Sequence, residues 1–413
     1  LYKKHILDNG LVIVGEEIPY VNSVSFGLWI NVGTRYEDKN INGMSHFIEH
    51  MLFKGTKNRS AKKIAQDIDN LGGQINAFTS KESTCFYVKM LDEHIYTGID
   101  VICDMILNPL FLEEDIIKEK SVVLEEIKMY DDSPEDLAHD LLFELIYKNE
   151  GLGMNILGTR NSLDNINRES VIEFFDNYYV PKNCVISICG NFKFEDIVSL
   201  LNEKLKGWNN NNFNSIDINK CEFNSGVVKK NKDIEQINLC MGLKSIELES
   251  NEVYALSVVN NIFGGSMSSR LFQNIREEKG SVYSIYSYPT LHKKSGVLNI
   301  FASTSEKNLN NVYSSILDEI KLLKDNYLTA DEIEKSKEQL KGNYILGLEG
   351  IGSRMMAIGK SQLLLKKLNT PKDIINNINS ITINDVKNVI DKTFNINTSA
   401  VCIVGKDVEN IKI

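Results

Sequence analysis

Apolar residues recur along the chain with two alternating periods, and the same alternation happens twice. The stretch SVIEFFDNYYVPKNCVISICGNF, residues 170–192, opens with helical spacing, passes a polar turn and closes as a β-branched run ending near glycine. DVKNVIDKTFNINTSAVCIVGKD, residues 385–407, has the same layout. Ile166 and Ile381, Val171 and Val386, and Gly190 and Gly405 each lie 215 positions apart, without a gap. Upstream, FLEEDIIKEKSVVLEEI (111–127) parallels LTADEIEKSKEQLKGNY (328–344) at an offset of 217, both with an acidic first turn and helical periodicity. HFIEHMLF (46–53) parallels LSVVNNIF (256–263) at an offset of 210. Such a repeat predicts an α+β protein of two homologous domains, each an antiparallel sheet backed by helices on one face. The asparagine-rich GWNNNNFNSIDINKCEFNSG (207–226) has no helical period and reads as a linker. The expected division is residues 1–208, a linker at 209–227 and residues 228–413.

Composition narrows the classes of function. A net charge of −10 over 413 residues argues against a nucleic-acid surface, which needs a basic face. Seven cysteines, an odd number without C-x-x-C pairing, fit reduced and buried thiols better than a disulfide framework. The stretch LYKKHILDNGLVIVGEEI lacks the apolar region of a signal peptide. No run approaches the roughly 18 apolar residues of a membrane helix. The expectation is a cytoplasmic protein without a membrane segment.

Candidate chemistry sits in GMSHFIEHMLFKGT, residues 43–56. His46 and His50 are four apart, so a helix projects them from one face as two ligands of one metal. Glu49 lies beside them, within reach of a metal-bound water. A third ligand is needed, and KEKSVVLEEIKMYDD supplies carboxylates. Glu119 and Glu126 are seven apart on one helical face, Glu125 and Glu126 point in different directions, and a carboxylate from this helix could complete a His, His, Glu set. The repeat acts as an internal control. His46, Glu49, His50, Glu119 and Glu126 correspond to Leu256, Val259, Asn260, Ser336 and Asn343. The fold therefore does not need these five residues, yet the first half carries all of them.

HFIEHMLFKGT, followed 76 residues after His50 by Glu126, resembles the H-x-x-E-H pattern of the pitrilysin/insulinase family of inverzincin metallopeptidases, in particular its bacterial, half-length, processing-peptidase-like members. The resemblance covers almost the whole chain. It implies one zinc ion per chain, held by His46, His50 and Glu126, with Glu49 as general base and Glu119 as a supporting acid. Manganese or cobalt could also serve such ligands. FGGSMSSRLFQNIREEKGSVYSIYS (263–287) resembles the segment that carries a substrate-contacting Arg–Tyr pair, here Arg276 and Tyr283. A cation and a phenol there would stabilise charge developing on the carbonyl oxygen. The glycines of FGGSMSS read as a helix-ending turn rather than a phosphate loop. LGGQINAFTSKESTCFYVKM (71–90) resembles the active-site edge strand, with Asn76 and Ala77 on the substrate backbone. The resemblance implies an endopeptidase for short or unfolded peptides. It also implies a closed chamber made by a homodimer, with the Arg–Tyr pair supplied in trans. The alternatives are a non-catalytic scaffold, which relatives lacking the ligands exemplify, and a catalytic subunit that needs a different partner chain.

Overall fold

The strand Ser23–Ile30 is buried along nearly its whole length, on both faces, and that demand shapes the first half of the protein. The computed structural model describes residues 2–209 and 218–411, so residues 210–217 of the expected linker lie outside the described residues. The first sheet contains β1 (Tyr2–Ile6), β2 (Val12–Glu17), β3 (Ser23–Ile30), β4 (Gln74–Thr79), β5 (Thr84–Leu91) and β6 (Cys184–Gly190). Their spatial order is β1-β2-β6-β3-β5-β4. The second sheet contains β7 (Gly226–Asn231), β8 (Ile237–Lys244), β9 (Val282–His292), β10 (Ser295–Thr304) and β11 (Ser399–Gly405), in the order β7-β11-β8-β10-β9. Read from β2 to β4, the first order is repeated in the second. The duplication seen as a sequence offset is thus a duplication of topology, and both halves are sheet-plus-helix structures.

The sheets are mixed. All pairs are antiparallel except β2–β6 and β7–β11. Those two are parallel because β6 and β11 return to the sheet after long helical crossovers. Val24, Phe26, Leu28 and Ile30 of β3 join one core with Phe47 and Met51 of the helix Met44–Leu52, Ile99 and Ile102 of Ile95–Leu107, and Phe174 of Arg168–Tyr178.

The opposite face of each sheet is covered too, by a single helix. In the first sheet this is Ile351–Leu365, which crosses β3 and β6. Gly27 of β3 and Gly359 of the helix allow the approach: a methyl on Gly27 would sit 2.6 Å from Met355 Sδ, and one on Gly359 2.1 Å from Trp29 Nε1. Trp29 Nε1 donates to Ser187 Oγ at 2.9 Å, and Arg354 Nη1 pairs with Glu16 Oε1 at 2.8 Å. In the second sheet the helix Pro134–Ile146 packs Ala138, Leu142 and Ile146 against Cys240, Phe301 and Ala400. Gly242 of β8, 215 positions after Gly27, makes room for Ile146.

These helices come from the other half of the chain. One compact unit comprises residues 1–127, 154–217 and 346–370; the other comprises 128–153, 218–345 and 371–413. The repeat runs along the chain in two contiguous stretches, whereas the packing units exchange one segment each. All seven cysteines are buried, and none is in a disulfide. No helix among the described residues is long and apolar enough to cross a membrane.

The close contact at Gly359 yields a stability prediction. Gly359→Ala drives a methyl between Trp29 and Ser187 and should cost about 1–3 kcal/mol, the usual range for overpacking. Gly352→Ala, with nothing within 4 Å of the added methyl, should leave stability unchanged or slightly raised. Urea unfolding followed by tryptophan fluorescence distinguishes the two.

Candidate metal centre

The site is built on the helix Met44–Leu52, whose position is set at its amino end by a buried carboxylate. Glu37 Oε2 accepts from Gly43 N at 2.7 Å and Asn42 Nδ2 at 3.1 Å, while Oε1 accepts from Ser45 N at 2.7 Å. A carboxylate here meets otherwise unpaired amides and the positive end of the helix dipole. Gly43 adopts φ +93°, and a side chain there would collide with Leu157 O at 2.7 Å. Just upstream, Arg35 Nη1 pairs with Glu82 Oε1 at 2.7 Å, tying the lead-in to the turn between β4 and β5.

From that helix Phe47, Ile48, Met51 and Leu52 point into the core. The opposite face presents His46 and His50, with ring centroids 4.5 Å apart. The helix Glu113–Asp131 brings Glu126 to them: Glu126 Oε2 lies 3.8 Å from His46 Nε2 and 3.6 Å from His50 Nε2. One ligand atom from each of the three residues falls within 4.8 Å of the others. Glu125 is exposed.

The donor set fits a metal ion. Donors around a tetrahedral zinc with bonds of about 2.0–2.1 Å are about 3.3 Å apart, close to the separations here. Glu126 Oε2 is buried without a hydrogen-bond partner, which is costly unless a cation meets it. Burial, reinforced by the nearby His50, holds the His46 pKa down to about 3, so its imidazole is neutral and offers a lone pair.

The supporting residues are equally specific. Glu119, on one face with Glu126 and nearly fully buried, accepts from His50 Nδ1 at 2.8 Å with Oε1 and from Lys54 Nζ at 2.5 Å with Oε2. That bond assigns the proton to His50 Nδ1 and leaves Nε2 for the metal. Burial opposes charge on both His50 and Glu119. Burial is outweighed only by the rest together: the hydrogen bond to Glu119 and the attraction of Glu126, Glu119 and Glu49 raise the His50 pKa, and the bonds and charges of His50 and Lys54 lower that of Glu119. Glu49 shares the histidine face. Burial raises its pKa, against the hydrogen bond from Thr79 Oγ1 to Oε2 at 2.5 Å. A carboxylate shifted upward is a better proton acceptor near neutral pH.

Thr79 ends β4, the outer strand of its sheet. Asn76 and Ala77 lie on the same strand. Asn76 is exposed, and its Oδ1 accepts from Ala77 N at 2.8 Å. Arg276 and Tyr283 belong to the other compact unit. Arg276 lies in the π-helical segment Phe272–Glu278 and donates from Nε to the Tyr283 carbonyl at 3.0 Å. Its guanidinium sits 4.6 Å from the Phe272 ring centroid. The Tyr283 side chain projects from β9, the outer strand of the second sheet, into solvent. Gly264 and Gly265 both donate to Asn260 O and end the helix Val253–Phe263, in keeping with their sequence context. At the positions matching the metal residues, Leu256 and Val259 are core, and Asn260 Oδ1 accepts from Ser287 Oγ at 2.8 Å.

Glu37, Thr79 and Lys54 touch the candidate site without being marked by the sequence motifs. Only Lys54 leaves a local signal, since His46, His50 and Lys54 continue one spacing of four. Glu37 and Thr79 act across chain separations that no helical or strand period reveals.

Comparison with known proteins identifies the family. The family model for insulinase, peptidase family M16, matches residues 12–160, which include every metal-centre residue named above. The model described as the M16 peptidase inactive domain matches residues 165–340. A Bacillus subtilis protein named uncharacterized zinc protease YmxG is 43% identical over 394 residues, 95% of this chain and 96% of its own length. An uncharacterized zinc protease of Rickettsia felis is 36% identical over 402 residues, 96% of each chain. Among solved structures, a protease from Helicobacter pylori superposes with a TM-score of 0.90 at 20% identity, covering 98% of this chain and 99% of that one. A Pseudomonas fluorescens structure described as a peptidase M16 inactive domain gives 0.92 at 18% identity over 100% of both chains. At such identities the two structures establish the shared fold.

Removing a ligand tests the donor set. Glu126→Gln and His46→Ala should each cost zinc affinity on the order of a hundredfold or more, while far-ultraviolet circular dichroism stays unchanged. Chelator competition measures the first and spectroscopy the second.

Proposed function

The chain belongs to the insulinase family of peptidases, and from that premise we propose that it is a zinc-dependent endopeptidase acting on short or unfolded peptides. The observation that carries this reading is the convergence of His46 Nε2, His50 Nε2 and the unpartnered Glu126 Oε2 beside Glu49. When bound, zinc supplies polarisation of the scissile carbonyl and an acidified water. Glu49 takes the water's proton and delivers it to the leaving amine; Thr79 holds its far oxygen meanwhile. Peptide joins the sheet at β4, where Asn76 Oδ1 gives up the Ala77 amide to a substrate carbonyl. Sequence readout along such an edge is weak, which suits a broad peptide specificity.

Arg276 and Tyr283 stabilise the oxyanion. In this proposal they come from the partner of a homodimer whose two chains close a chamber around the peptide. The placement of Arg276 and the exposed Tyr283 in the unit without metal ligands supports it. Seven buried thiols outside any disulfide accord with a cytoplasmic site of action. The intact set of His46, Glu49, His50 and Glu126 weighs against a pure scaffold role.

Two experiments test the proposal. Glu49→Gln should retain zinc yet lose cleavage of a quenched fluorescent peptide library by about a hundredfold or more. Retained turnover would sink Glu49 as the base, and an inactive native chain that binds zinc would favour the need for a different partner. For supply in trans, Glu49→Gln and Arg276→Ala chains, each inactive alone, are mixed and allowed to exchange. Mixed dimers hold one intact site, so activity should return to about a quarter of the native value. No recovery between chains that do exchange would refute a shared site.

A further inference from the structure

Outside the ligand set, Lys54 directs a cation at the metal centre. Its Nζ contacts Glu119 Oε2 at 2.5 Å, and the other Glu119 oxygen holds His50 Nδ1 at 2.8 Å. The Glu119 side chain is 4% exposed, and each oxygen has one partner, His50 for Oε1 and Lys54 for Oε2. The two histidines differ in this respect. His46 Nδ1 is buried with no hydrogen-bond partner, so orientation of the ligand rings by an outer hydrogen bond falls to His50. Local backbone structure aims the Lys54 side chain at Glu119. The helix ends at Leu52, and Lys54 N still donates to Met51 O at 3.1 Å, which keeps its side chain on the His46–His50 face.

The duplication gives a second, independent observation. At the offset that maps His50 to Asn260, Lys54 maps to Gly264, a helix-ending glycine. Glu119 maps to Ser336. The half without a metal centre thus lacks the lysine and its carboxylate together, although FKGT and FGGS otherwise align. A lysine needed only for solubility or helix termination has no reason to follow Glu119.

We propose that Lys54 is a positioning residue of the metal centre: by gripping the outer oxygen of Glu119 it fixes the His50 ring and thereby sets the affinity for zinc. This rests on the zinc reading above. Without Lys54, Glu119 is free to turn away from His50, and the His50 ring loses its fixed direction. Outer partners of metal-binding histidines change affinity by about 10–100-fold when removed.

The test measures zinc affinity of the purified full chain by competition with a chromophoric chelator. Lys54→Met, which keeps the apolar stem, should weaken zinc about tenfold, and Lys54→Arg should recover most of the loss. Lys54→Gln serves as a second neutral variant should the methionine chain melt early. In a Glu119→Gln background, Lys54→Met should add less than about twofold, because the two residues act as one unit. Affinity within about twofold of native in both neutral variants would overturn the proposal, as would an equal loss with and without Glu119. A native chain that takes up no zinc would overturn the metal reading itself, and is distinguished because the reference protein fails rather than the variant.

Discussion

The metal centre depends on the capping of one nine-residue helix by Glu37. That helix carries His46, Glu49 and His50 on one face and five core residues, Met44, Phe47, Ile48, Met51 and Leu52, on the other. A small rotation would turn the histidines away from Glu126. Three donors converge on the Glu37 carboxylate, and charge-assisted bonds of this kind contribute about 1.5–3 kcal/mol each. They offset part of the cost of burying the carboxylate, whose pKa burial still raises, and hold the amino end in register with the loop at Leu157. The Arg35–Glu82 pair extends the same constraint to the β4–β5 turn. Helix and edge strand are therefore tied together before any metal or peptide arrives.

That coupling links Glu49 and the edge strand. Thr79 ends the strand on which Asn76 and Ala77 lie, and its hydroxyl holds Glu49. In the proposed reaction, a peptide registering on β4 is thereby registered on Glu49 as well. Catalytic geometry supported by rigid elements in this way requires little rearrangement on binding.

The two halves show what the fold needs and what the chemistry needs. Both keep the same five-strand order, the parallel pair and a central glycine that admits a helix to the second face. Only the first keeps His46, His50 and Glu126. Where the second half has Leu256 and Val259, the helix simply buries them, which gains apolar burial without desolvating any charge. The first half accepts buried carboxylates and imidazoles: Glu37 and Glu119 are paired at both oxygens, while Glu126 Oε2 and His46 Nδ1 have no hydrogen-bond partner.

Much of this was legible in the sequence because it is periodic. A spacing of four placed His46 and His50 on one face, and a spacing of seven placed Glu119 and Glu126 on another. A constant offset exposed the repeat. Local periodicity survives in a linear string because helices and strands impose it residue by residue. What tertiary structure alone decided is non-local. By spacing, Glu125 and Glu126 were both available; the direction in which their helix lies against its neighbour leaves Glu125 in solvent and turns Glu126 inward. The grip of Lys54 on Glu119 spans 65 positions, that of Thr79 on Glu49 spans 30, and the helix 351–365 covers a sheet that begins at residue 2. Such contacts follow from how faces must be buried against one another, and no short-range pattern records which face meets which.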